Sequence, residues 1–166
     1  MKEKDNIRLK SGHAVELDVI DLKILSRLAE DGSVSYARLG EMVSLSAPAT
    51  HERVKRLKRD GVIRATVALI DGCKLGRTLL TFVMVDTSTL NATRELLHVS
   101  QRADVEEFHT IAGDSSVIIK LRAQDTESLE AFLMEIQQVD GVRAVRSYIV
   151  LSTFMEHGPL PSVPSV

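Results

Sequence analysis

Between Leu17 and Gly61 the apolar residues recur at helical spacing in three short segments, each opened by a residue that can cap free N–H groups. That punctuation constrains the fold more than any other feature of the chain. In the first segment Leu17, Ile20, Ile24, Leu25 and Leu28 fall on one face, which predicts a helix over about 18–30 with Asp18 as N-cap and Asp31-Gly32 as its stop. The second opens at Ser35, buries Leu39, Met42 and Val43, and stops near Ser44. The third opens at Ser46 and tolerates Pro48, because a first turn needs no internal N–H donors; it turns Val54 and Leu57 inward and closes at Asp60-Gly61. A three-residue turn, Ser44 to Ser46, between the last two makes a helix-turn-helix of winged-helix type. The run VIRATVALID, residues 62–71, alternates like a strand and is expected to serve as wing or linker.

Beyond Gly76 the period changes. Strands are expected at 79–86, 105–112, 116–122 and 142–152, with helices at 91–102 and from an Asp125 cap to about Gln138, and a hairpin at Gly113-Asp114. Leu129, Phe132, Leu133, Ile136 and Val139 define the second of these helices. The order βαββαβ is the ferredoxin-like split βαβ arrangement, so the fold class is α+β. The organisation is then an N-terminal tail (1–15), a helix-turn-helix domain (16–63), a linker strand (64–76), a βαββαβ domain (77–154) and a mobile proline-rich tail (155–166).

A net charge of -2 argues against nucleic-acid binding until the charges are placed along the chain. From Asp31 to Thr66 seven basic residues face four acidic ones, whereas from Val67 onward eight basic face thirteen acidic. A local basic patch on an acidic remainder is the pattern of a phosphate-binding module joined to a non-binding one. The patch centres on the third helix, SAPATHERVKRLKRDG. Its small early side chains, Ser46, Pro48 and Ala49, together with His51, allow close approach to base edges in a major groove. Arg53, Lys55, Arg56 and Arg59 follow where phosphate would lie. The partner expected is double-stranded DNA.

Other classes of function find less support. No apolar run of about 18 residues occurs, so neither a membrane span nor a secretory signal is expected and the chain is placed in the cytoplasm. The single cysteine, Cys73, has no partner for a disulfide and no neighbours at metal-ligand spacing. The five histidines, His13, His51, His98, His109 and His157, are dispersed, and no HExxH, GxSxG, CxxC or P-loop spacing is present. No catalytic residue, metal or cofactor is expected.

Four segments, LDVIDLKILSRLAEDG, LSAPATHERVKRLKRDGVI, AGDSSVIIKL and VDGVRAVRSYIVL, occur in this order, and together the chain resembles the Lrp/AsnC, or feast/famine, family of transcription regulators from Leu17 to Ser152. The resemblance implies a C-terminal ligand-sensing (RAM) domain that forms dimers by facing two sheets, with further assembly into tetramers or octamers. It also implies an amino acid or related metabolite bound between these domains. Gly113 and Asp114 match the family's hairpin, and Tyr148, Ile149 and Val150 its ligand-responsive strand. Where relatives often follow the Gly-Asp with an aromatic and an aspartate, this chain has Ser115 and Ser116. Ser116 then offers an ammonium group only a neutral hydroxyl, and ordinary zwitterionic amino acids are expected to bind weakly or through substituted contacts.

Three other readings compete. Relatives of the same build include enzymes that decarboxylate a tetrapyrrole (siroheme), and His98, His109, Arg122 and Arg146 could be pressed into that role. RNA binding through a βαββαβ sheet would need exposed aromatics on the central strands, yet SSVIIKLRA has none. A regulatory amino-acid-binding module would leave the basic third helix without a purpose.

Overall fold

The computed structural model describes residues 15–162, so the expectations for the N-terminal tail, for His13 and for the last four residues lie outside the described residues. The chain divides into two compact units, one running through Ala68 together with the segment from His157, the other Leu69–Glu156.

The first unit holds three helices, α1 (Val19–Glu30), α2 (Tyr36–Val43) and α3 (Ala47–Arg59). Each starts where its cap requires. Asp18 accepts from the Asp21 N–H at 2.8 Å while the Asp21 carboxylate accepts from the Asp18 N–H at 3.2 Å, a reciprocal capping box. Ser35 and Ser46 accept from Arg38 and Ala49. Ser44 ends α2 in the left-handed conformation at φ 59°, which sets up the turn into α3. That turn is tight: the Leu45 N–H donates to the Gly40 carbonyl at 2.8 Å, and a Cβ on Gly40 would stand 2.6 Å from the Leu45 carbonyl oxygen. The core is Ile24, Leu39, Val43, Val54 and Leu57, with Leu17, Leu28, Val62 and Ile63 packed on its rim.

The expected strand over 62–71 does not form. Val62 and Ile63 lie against the core, but residues 64–71 make no ladder, and Val67 and Leu69 are more than four-fifths exposed. Alternating β-branched residues need a neighbouring strand to satisfy their N–H and C=O groups, and the described chain offers none there.

The second unit is the βαββαβ arrangement: β1 (Leu79–Thr87), α4 (Leu90–Glu95), β2 (Val105–Thr110), β3 (Val117–Ala123), α5 (Thr126–Gln137) and β4 (Val142–Ile149). All pairings are antiparallel, in the order β2-β3-β1-β4. Only the first half of the expected 91–102 helix is α; Leu96–Gln101 winds as a 3-10 helix, which turns Leu96 and Val99, three apart, into the core. Alternation along the strands separates two faces. Val83, Val85, Val117, Ile119 and Leu121 pack with Leu96, Val99, Leu129, Phe132 and Ile136 beneath the helices. On the opposite face Phe82 lies between Lys120 and Tyr148, and Met84 between Ile118 and Arg146, with no helix of this unit over them. Glu156, assigned to the mobile tail from the sequence, pairs with Lys120 and Arg122 of β3.

Candidate DNA interface and ligand-binding unit

The face of α3 that points to solvent carries Ser46, Pro48, Ala49 and His51 in its first turns and Lys55, Lys58 and Arg59 in its last. The buried side, Thr50, Val54 and Leu57, recurs at spacings of four and three, so this division follows from helix geometry. Thr50 donates back to the Ser46 carbonyl at 3.0 Å and needs no other partner. The His51 ring stands edge-on to Tyr36 at the start of α2, centroids 5.0 Å apart, which holds the ring against that helix. The basic last turn also lies at the helix end where cations are favoured by the helix dipole.

Two of the arginines expected to meet phosphate are otherwise engaged. Arg53 donates to Asp18 at 2.6 Å and to Asp21 at 2.9 Å, and Arg56 donates to the other oxygen of Asp21. Asp21 is fully buried. The hydrogen bond from Arg53 holds the Asp18 carboxyl below its ordinary range, and the two aspartates hold the Arg53 guanidinium above its own. This cluster was missed in the sequence although a signal existed. Asp21 sits inside the apolar stripe Leu17, Ile24, Leu28, and a charged carboxylate there demands a partner cation.

In the second unit the β2–β3 connection, residues 111–116, closes with the Ile111 N–H donating to the Ser116 carbonyl at 2.9 Å. Gly113 and Asp114 are exposed at its tip. Both serines serve the fold. Ser115 is buried and accepts from Arg146 of β4 at 3.1 Å, while the Ser116 hydroxyl accepts from the Thr87 N–H at 3.2 Å. Arg146 therefore ties the hairpin to β4, a role the sequence did not indicate. Tyr148 lies on the uncovered sheet face, whereas Ile149, one residue on, points to the opposite face. Val150 lies past the strand end, and its N–H donates to the Leu80 carbonyl at 2.9 Å. Tyr148, Ile149 and Val150 thus do not line one surface.

The residues considered for catalysis are occupied as surface partners. His98 lies 3.1 Å from Glu135, His109 lies 3.0 Å from Glu107, and Arg122 pairs with Glu106. Among the described residues no helix is long and apolar enough to cross a membrane, and no three His, Cys, Asp or Glu side chains gather as a metal site.

A capped helix-turn-helix with a basic, exposed third helix, followed by a split βαβ sheet unit, defines a DNA-binding regulator with a separate sensing domain. Comparison with known proteins bears this out: the model of the AsnC-type helix-turn-helix domain matches residues 17–58, and that of the Lrp/AsnC ligand binding domain matches residues 80–160. The HTH-type transcriptional regulator FL11 of Pyrococcus horikoshii is 31% identical over 147 residues, 89% of this chain and 97% of its own. The leucine-responsive regulatory protein of Escherichia coli is 33% identical over 143 residues, covering 82% and 85% of the two chains. A transcriptional regulator of Neisseria meningitidis, solved as its complex with L-Met, superposes with a TM-score of 0.82 at 25% identity over 88% of this chain and 97% of its own. The chain belongs to the Lrp/AsnC family of transcriptional regulators, and it is a regulator rather than an enzyme.

Proposed function

We propose that α3 reads double-stranded DNA from the major groove, with Ser46, Pro48, Ala49 and His51 nearest the bases and Lys55 and Arg59 on phosphates. The sensing unit makes this binding respond to an amino acid or related metabolite near Gly113, Asp114 and Tyr148. The observation that carries the reading is the segregation on α3: small groups and one histidine exposed at its start, cations exposed at its end. An amino-acid effector is supported by two relatives, the leucine-responsive regulatory protein of Escherichia coli and the Neisseria meningitidis regulator solved with L-Met. The hydroxyl of Ser116 is already committed to Thr87, so an ammonium group must find its counter-charge elsewhere, with Asp114 at the hairpin tip a candidate.

Assembly is part of the proposal. The helix-free sheet face, with Phe82, Met84, Ile118 and Tyr148, supports a homodimer as the basic form, and a tetramer or octamer is the further assembly that family membership suggests. A regulator of this kind works in the cytoplasm, where the DNA is. The test is a salt titration of binding to a duplex selected by the wild-type protein from a randomised pool. Lys55→Ala with Arg59→Ala flattens the log–log slope by about 0.9 for each phosphate contact removed. An unchanged affinity and slope would show that α3 is not the reader. Light scattering after size exclusion, with and without a pool of amino acids, reads assembly and effector response together.

A further inference from the structure

Asp21 is the one charged residue among the fully buried described residues, and it is surrounded by cations from the reading helix. Oδ1 accepts from Arg53 at 2.9 Å, and Oδ2 accepts from Arg56 and from the Asp18 N–H. Arg53 also reaches Asp18 at 2.6 Å, and Arg56 Nε is buried without a partner. A buried ion pair adds little stability over apolar packing of the same volume, because the charges must first be desolvated. What it adds is geometry. Arg53 and Arg56 are three apart on α3, and one carboxylate held by both fixes the rotation of α3 about its own axis and its register against α1.

We infer that Asp21 is a positioning residue for DNA reading. It orients α3 through Arg53 and Arg56, so these two arginines act through the helix's angle and not as counter-charges for phosphate. The charges of Asp18 and Asp21 neutralise those of Arg53 and Arg56, leaving Lys55 and Lys58, with Arg59 beside its neighbour Asp60, as the phosphate-facing cations of α3. The inference rests on α3 being the reader.

The experiment uses the full chain with two probes, a 30-bp duplex of mixed sequence and the duplex selected from a randomised pool. Lys55→Gln is expected to flatten the salt slope by about 0.9. Arg56→Gln is expected to leave the slope unchanged but to shrink the affinity ratio between selected and mixed duplex by roughly tenfold or more, the worth of one good base contact. Asp21→Asn, with circular dichroism to confirm folding, is expected to shrink the same ratio without weakening the mixed duplex, since it leaves one more positive charge on α3, Asp18 still holding Arg53. Arg56→Gln flattening the slope as Lys55→Gln does would overturn the inference, as would a wild-type ratio in either clamp variant. If Asp21→Asn does not fold, the Arg56→Gln and Lys55→Gln comparison decides alone. Wild-type slopes and ratios in all three variants would instead refute α3 as the reader, and the inference with it.

Discussion

Gly40 sits inside α2, where helix propensity favours alanine over glycine by about 1 kcal/mol. The structure reverses that sign. The added Cβ would lie 2.6 Å from the Leu45 carbonyl oxygen and 3.0 Å from Thr50 Oγ1. An ordinary carbon–oxygen approach is about 3.3 Å, so the turn must retreat by roughly 0.7 Å. Neither neighbour yields easily: one is backbone, and the other is buried and donates to Ser46. Overpacking of this kind costs about 1–3 kcal/mol, and stretching the Leu45-to-Gly40 hydrogen bond costs about 1 more. After the helix gain, Gly40→Ala is expected to destabilise the unit by about 1–3 kcal/mol. For a domain of this size each 1 kcal/mol lowers the Tm by about 4–8 °C. The retreat also shifts the start of α3, so binding to a selected duplex should weaken more than binding to a mixed one. Thermal unfolding followed by circular dichroism, with both duplexes titrated in parallel, measures this. Gly61→Ala is the control: at φ 74° with nothing within 4 Å of the new Cβ, it meets only the strain of the left-handed conformation, about 1–2 kcal/mol. A Gly40→Ala protein with wild-type Tm and wild-type binding would refute the steric argument.

Phe132→Ala empties the centre of the second core and removes the ring beneath Arg102, 5.2 Å from its centroid; a loss of about 3–5 kcal/mol is expected in urea unfolding. Asp104 is held below its ordinary 3.8 by its hydrogen bonds from Arg102. The unfolded chain therefore takes up that proton first. The stabilisation is present above pH 3.8 and is lost as pH falls below it, so Asp104→Asn should reduce the slope of the urea midpoint against pH on the acid side of 3.8. Ser116→Ala leaves the Thr87 N–H without its acceptor and should cost about 1–3 kcal/mol, read by the same unfolding assay. Calorimetric titration of the wild type and Ser116→Asp against the twenty amino acids checks the effector reading. Tight, selective binding of an unmodified amino acid by the wild type would show that another acidic group takes the ammonium.

The helix starts were legible because caps are local: Asp18, Ser35, Ser46 and Asp125 each act within three residues of themselves. The βαββαβ order was legible for a related reason, since strand and helix periods differ within a short window. What escaped depended on partners far along the chain. Residues 64–71 have a strand's composition but no strand beside them. The winding at Leu96–Gln101 follows from where Leu96 and Val99 must point in a core built largely from later residues. On α3 the spacing placed every cation on the correct helix, but it could not show that Arg53 and Arg56 answer to residues more than thirty positions earlier. Likewise Ser115 and Ser116 read as open ligand positions until Arg146 and Thr87 are seen to hold them.

The ion pairs between Asp21 and α3 also bear on engineering. A reading helix held only by apolar contacts could be exchanged for another of similar volume. This one carries two arginines whose carboxylates are supplied by Asp18 and Asp21, so moving residues 47–59 into a host without acids at those two positions would import two uncompensated charges against its core. The portable unit for retargeting is α1 with α3, and altered specificity is best sought at Pro48, Ala49 and His51, leaving positions 18, 21, 53 and 56 as they are.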